Sequence, residues 1–243
     1  MVVAEAQIPV GLVRSDHVLG IDEAGRGAVL GPLVVAGVML PRTKLAHLSQ
    51  LGARDSKSVP REKRKGLLAE IARDVKIRVI VISARAVDGE NLTQLELQAA
   101  SNLIRRFRSS SDSPTDRHPL PITVVMDAPV SPRALGGFRD RLAQRCGLPK
   151  KELQLYPRAD ALHPAVGAAS LAAKVVRDAY VTFLREKYGD FGWGYPGEKR
   201  VQEFLKEWLE RHGEFPEICR TRWRAAQRLL RLQLFPQSPS DSR

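Results

Sequence analysis

Apolar and polar positions divide the chain into short apolar runs and longer stretches with helical spacing. Five runs predict strands, at His17–Asp22, Leu33–Leu40, Lys76–Ala84, Ile122–Asp127 and Leu153–Tyr156. Several are dense in valine and isoleucine, as strands tend to be. Helices are predicted over Arg61–Arg73, Leu92–Arg108, Pro132–Arg145, Pro164–Lys187, Arg200–Arg211 and Trp223–Leu234. Ser131-Pro132 reads as a helix start, with a capping hydroxyl and a proline in the first turn. Three early strands followed by alternating strand and helix predict an α/β fold, a mixed sheet with helices on both faces.

The punctuation between these elements sets the expected domain organisation. Ser109 to Pro121 is polar and proline-containing, yet strand-like Ile122–Met126 resumes at once, so it reads as a flexible connection within one domain. Glycine and aromatic density from Gly189 to Gly197 marks an ordered loop leading into a C-terminal helical region. The expected division is therefore an α/β domain over 1–188, a helical region over 189–235 and a disordered tail over 236–243. A chain of 243 residues with 43% hydrophobic residues can fill one large core. No stretch approaches the roughly 20 apolar residues of a membrane span. Glu5 falls where the apolar block of a secretory signal would begin. Cys146 and Cys219 make neither a metal spacing nor a disulfide framework. The expected setting is the reducing cytoplasm, with no membrane partner.

Charge changes this picture. There are 39 Lys+Arg against 27 Asp+Glu, a net charge of +12. Such an excess suits a polyanionic partner, and nucleic acid is the first candidate. Arg61, Lys63, Arg64 and Lys65 form one basic cluster. Between Glu217 and Asp241 there is no acid, while Arg220, Arg222, Arg224, Arg228 and Arg231 all fall there around Trp223. That segment suits tracking of a phosphate backbone with one stacking surface. A solvated helix face over a buried tryptophan is the alternative.

Against this basic background, a few acids stand at strand ends. Asp22-Glu23-Ala24-Gly25-Arg26-Gly27 follows the apolar run Val18-Leu19-Gly20-Ile21. Adjacent strand residues point to opposite faces, so both acids can serve one site only if the backbone bends, and Gly25 and Gly27 permit that. A cation between two glycines also suits close approach of a phosphate or sugar. Asp127 ends another apolar strand, at the edge where α/β sheets bind ligands. Asp178 lies on a helix crowded with small residues (Gly167, Ala168, Ala169, Ser170, Ala172 and Ala173), which would let that helix press onto the sheet. Four converging carboxylates repel unless a cation neutralises them. All-oxygen ligation favours Mg²⁺ or Mn²⁺, and a pair of such ions suits phosphodiester cleavage. Each acid also has a plainer reading, as a turn residue or, for Asp178, an ion pair with Lys174.

The ordered motifs bring in a resemblance. Gly20 to Gly27, then Leu30-Gly31-Pro32-Leu33-Val34-Val35-Ala36, resembles the signature of type 2 ribonuclease H, or ribonuclease HII. Asp55-Ser56-Lys57, Ala159-Asp160-Ala161, Ala168-Ala169-Ser170 and Ala173 to Asp178 also fit, in the family's order, from about residue 17 to about residue 231. The C-terminal part, Asp190 to Pro196 with Phe215-Pro216 and Arg220 to Trp223, is similar to the archaeal and eukaryotic branch. The resemblance implies the RNase H-like mixed five-stranded sheet flanked by helices, with a small C-terminal helical region. It also implies that Asp22, Glu23, Asp127 and Asp178 bind two ions, Mg²⁺ or Mn²⁺. One ion would help deprotonate water and the other would stabilise the leaving 3′-oxygen.

By the same resemblance Gly25, Arg26 and Gly27 sense the ribonucleotide 2′-hydroxyl and its phosphate. Tyr195 packs on the deoxyribose at the junction, and Lys57 and Lys174 lie near the substrate backbone. Two departures stand out: Ala28 replaces a proline usual after Gly27, which would loosen that turn. Gly197-Glu198 replaces a Ser- or Asn-Asp pair. The implied enzyme is a monomeric endonuclease that cuts the RNA strand of RNA–DNA hybrids and incises at single ribonucleotides in duplex DNA, with accessory subunits left open. The other readings are a different two-metal nuclease of the same fold and a non-catalytic hybrid-binding protein.

Overall fold

The computed structural model describes residues 16–53, 59–109 and 120–234. The Asp55-Ser56-Lys57 motif, most of the Ser109–Pro121 connection and the tail from Pro236 lie outside them. In chain order the elements are β1 (His17–Ala24), β2 (Leu33–Pro41), α1 (Leu45–Gln50), α2 (Arg61–Ile71), β3 (Lys76–Ile82), α3 (Ala84–Gly89) and α4 (Leu92–Arg108). There follow β4 (Ile122–Asp127), α5 (Pro132–Cys146), β5 (Leu153–Tyr156), α6 (Ala159–Leu162), α7 (Pro164–Tyr188), α8 (Lys199–His212) and α9 (Arg224–Leu234). The five strands form one mixed sheet flanked by helices, in the order β3-β2-β1-β4-β5. Its β1–β4 and β4–β5 pairs are parallel. β2 is buried from Leu33 to Leu40, which is why its sequence is continuously apolar and does not alternate.

Some details differ from the sequence pattern. The strand expected to reach Ala84 stops at Ile82, because Ser83 turns the chain and its hydroxyl accepts the Ala86 N–H at 3.2 Å, capping α3. The Ser131 hydroxyl makes no capping bond to α5; Pro132 starts that helix, and Gly147, with φ of 57°, ends it. Helices α1, α3 and α6 have six, six and four residues, too few for a 3.6-residue period to register.

The chain divides into two units. One holds the described residues of Met1–Glu23, Val35–Ile80 and Glu96–Val175. Its core gathers Leu19, Ile21, Val124, Leu103, Phe107 and the alanine face of α7. A Cβ on Gly20 would stand 2.2 Å from the Ala165 carbonyl, so glycine here lets α7 lie directly against β1, two residues before Asp22. The other unit holds the described residues of Ala24–Val34, Val81–Leu95 and Val176–Arg243. There Leu30, Val181, Phe191, Phe204, Leu205 and Ile218 form a separate buried cluster, with Trp193, Trp208 and Trp223 packed against it. Among the described residues no helix is long and apolar enough to cross a membrane.

Candidate active site

In the first unit, the register of two parallel strands brings acids together. The ladder pairs Ile21 of β1 with Met126 of β4, so the next residues along the two chains are Asp22 and Asp127. β1 runs on to Ala24, two residues past the predicted end, and carries both Asp22 and Glu23. The Asp22 carboxylate is 5% exposed and accepts the Glu23 N–H at 2.8 Å. Burial holds its pKa well above the usual carboxylate range, and the charges of Glu23 and Asp127 push the same way. A hydrogen bond from Ser170 of α7 pulls in the opposite direction. One oxygen of Asp127 is already engaged, accepting the Ala159 N–H at the start of α6 at 2.8 Å. Three of the four predicted acids thus interact in one unit.

The fit of these residues to metal follows from their donor chemistry. Asp22, Glu23 and Asp127 offer only oxygen, and Glu23 and Asp127 disfavour the charge of buried Asp22, which is the condition a hard divalent cation relieves. Among the described residues no group of three or more His, Cys, Asp or Glu side chains already stands at metal-holding spacing. On α7, Ser170, Lys174 and Asp178 recur every four residues, the spacing of one helix face. Lys174 and Asp178 are both half-buried. Lys57 lies outside the described residues.

In the second unit, Gly25, Arg26 and Gly27 form a turn. Gly25 has φ of 85°, and a Cβ there would stand 2.3 Å from Arg177 Nε, so only glycine fits. The Ala28 N–H donates to the Gly25 carbonyl at 3.2 Å. Proline has no such donor, so the alanine closes the turn where it was expected to loosen it. Gly27 is exposed and Arg26 half-buried.

The segment after this turn is held from two sides. Val29 and Leu30 N–H groups donate to the Gly194 carbonyl at 2.8 and 3.1 Å. On the other side, Leu30 bridges Cys219 in antiparallel fashion, with Gly31 N–H to Ile218 O at 2.9 Å and Arg220 N–H to Val29 O at 2.9 Å.

Two arginines whose sequence positions do not suggest such a part complete this support. Arg220, placed by its neighbours among backbone-tracking cations, is instead wholly buried. Its guanidinium donates to the carbonyls of Gly25 (2.8 Å), Arg26 (2.9 Å) and Gly31 (3.2 Å) and lies 4.8 Å from the Trp223 ring centre. Burial, with Arg177 nearby, lowers its pKa to about 10, so it stays charged at neutral pH. Trp223 is half-buried against the apolar cluster, which matches the alternative reading of that tryptophan. Arg177 is also buried. It donates to Trp193 O at 2.9 Å and to Leu30 O and Pro32 O at 3.4 Å, and its guanidinium lies 4.8 Å from the Tyr195 ring centre. Tyr195 remains 38% exposed.

The family model for ribonuclease HII matches residues 19–226. The chain belongs to the ribonuclease HII family. A ribonuclease HII of Pyrococcus abyssi is 34% identical over 214 residues, covering 87% of this chain and 90% of the relative. Among solved structures, the ribonuclease H2 of Pyrococcus horikoshii OT3 superposes with a TM-score of 0.74 at 28% identity, over 91% of this chain and 100% of that one. Ribonuclease HII of Archaeoglobus fulgidus, solved in complex with PCNA, gives a TM-score of 0.73 at 33% identity, over 85% and 95% of the two chains. The protein is a ribonuclease H, a hydrolase of a family that depends on divalent metal and acts on RNA–DNA hybrids.

Proposed function

We propose that this ribonuclease HII both cuts the RNA strand of hybrids and incises beside single ribonucleotides embedded in duplex DNA, leaving 3′-hydroxyl and 5′-phosphate ends. The observation that carries the reading is the crowding of Asp22, Glu23 and Asp127 at the ends of two parallel strands, with the Asp22 charge disfavoured by burial and by its neighbours. These three carboxylates hold the catalytic ions, and Asp178, which matches the family's fourth acid in sequence, is the further ligand we assign. Bound there, two Mg²⁺ or Mn²⁺ ions would supply Lewis-acid charge for the attacking and leaving oxygens. Phosphoryl transfer needs little covalent help from a protein, so positioning is the main task of the chain.

Strand choice falls to the second unit. RNA differs from DNA by its 2′-hydroxyl. The exposed Gly27 backbone and the Arg26 guanidinium suit a sugar and its phosphate, and Arg220 and Arg177 hold the turn's carbonyls and flanking backbone in place. The exposed ring of Tyr195 suits packing on the deoxyribose that follows the ribonucleotide. Lys57 and Lys174 are assigned to the substrate backbone.

One assay separates this reading from a different two-metal nuclease and from a non-catalytic binder. The protein is incubated with three labelled duplexes, one hybrid, one all-DNA and one DNA with a single ribonucleotide, with Mg²⁺ and with chelator. Metal-dependent cutting of the first and third alone is expected. Cutting of the all-DNA duplex would favour the other nuclease, and binding without cutting would favour the binder.

A further inference from the structure

The loop carrying Tyr195 is organised by a carboxylate that its own helix does not use. Glu198 directly precedes α8 with an extended backbone (φ −79°, ψ 126°), yet makes no side-chain capping bond to that helix. Its two oxygens turn to the loop. One accepts the Trp193 N–H at 2.8 Å and the other accepts the Tyr195 N–H at 3.0 Å. The Glu198 N–H in turn donates to the Tyr195 carbonyl at 3.0 Å. Tyr195 is therefore tied through both its backbone N–H and its carbonyl to one residue. The α8 N-terminus favours a negative charge at this position, and charged acceptors make the stronger backbone bonds.

The rest of the loop is anchored independently. Arg185 pairs with Asp190 at 2.7 Å, Arg200 Nε donates to the Asp190 carbonyl at 2.7 Å, and the Gln202 amide donates to the Pro196 carbonyl at 2.8 Å. Phe191 is fully buried in the apolar cluster. Loss of Glu198 would therefore leave the loop attached and release only the Trp193 and Tyr195 N–H groups. The Tyr195 ring, whose one face meets Arg177, depends on that backbone for its placement.

We infer that Glu198 is a positioning residue that fixes Tyr195 and thereby sets how strongly the enzyme prefers a single embedded ribonucleotide over continuous RNA. This rests on the junction role proposed above for Tyr195. A glutamine would turn its NH₂ toward one of the two N–H donors and so could not satisfy both.

The test is kcat/KM of the full chain on a duplex with one ribonucleotide and on a long hybrid, for the wild type, Glu198→Ala, Glu198→Gln, Tyr195→Ala and Tyr195→Ala combined with Glu198→Ala. The expected result is a preference for the single-ribonucleotide duplex that falls by about fivefold or more in Glu198→Ala, by less in Glu198→Gln, and by no more in the double variant than in Tyr195→Ala alone. Melting curves accompany each variant; if Glu198→Ala fails to fold, Glu198→Gln carries the same comparison. Equal losses on both substrates in the Glu198 variants, beside a selective loss in Tyr195→Ala, would overturn this inference alone. An unchanged preference in Tyr195→Ala would overturn the junction reading and this inference with it.

Discussion

Arg220, with no exposed surface, donates to the carbonyl oxygen of Gly25 at 2.8 Å. The same guanidinium reaches Arg26 and Gly31, so one buried cation holds two carbonyls of the turn that is proposed to read the ribose and one of the segment that follows it. Replacing it by alanine removes those bonds and opens a cavity. Arg220→Ala is expected to cost about 3 kcal/mol or more, seen as a lower urea midpoint, and to weaken hybrid cleavage. Arg220→Lys, which keeps the charge but not the fork, should fall between alanine and wild type. A melting profile unchanged by Arg220→Ala would contradict the structural role.

The exposed cations are a separate population. Lys63, Lys65, Arg222 and Arg224 all face solvent, and Asp88 fixes the segment before α9 by accepting the Thr221 hydroxyl at 2.6 Å and the Arg222 N–H at 2.8 Å. Hybrid affinity of catalytically inactive protein should fall steeply with salt, as counterions leave the phosphates. Replacing Arg222 and Arg224 together by glutamine should reduce that salt slope by about one unit for each phosphate that the variant no longer neutralises. An identical slope in that variant would mean that the segment does not touch nucleic acid.

Asp22 gives the metal-free protein an expected pH dependence. Its pKa is raised in the fold by burial and then by Glu23 and Asp127, so between the unfolded value of about 3.9 and the folded one the native state binds the extra proton. Stability therefore falls as pH rises through that window. Melting temperatures of metal-free wild type and Asp22→Asn, taken from about pH 4 to pH 8, should diverge, with the asparagine variant the more stable at neutral pH. Parallel curves would mean that Asp22 is not under the strain described.

Much of this was legible in the sequence because the deciding patterns are local. The apolar runs ending in Asp22 and Asp127 mark strands, and the small residues from Gly167 to Ala173 mark a helix that packs closely. What stayed hidden depends on burial. Arg220 sits in a run of arginines whose spacing says nothing about which one turns inward, although the apolar Ile218-Cys219 pair beside it was a usable signal. Both cysteines are free and buried, and burial pushes the Cys219 thiol up to about 12, which fits packing and not reactivity. Arg177 was masked by Asp178, the more obvious residue. Glu198 read as a departure from the family pattern, and its value emerges only when the Trp193 and Tyr195 N–H groups are seen to converge on it.

Asp22, Glu23, Asp127 and Asp178 are proposed to hold the metal that cuts the RNA strand. The most direct test of that role is the rate of incision of a duplex with one ribonucleotide, by wild type and by Asp127→Asn, across titrations of Mg²⁺ and Mn²⁺. Asp127→Asn should stay folded, with a metal-free melting temperature equal to or above that of the wild type, because one repelling charge is gone. The wild type should cut only with metal, leaving 3′-hydroxyl and 5′-phosphate ends, and Asp127→Asn should not cut at any concentration of either ion. Full activity in Asp127→Asn would contradict the assignment.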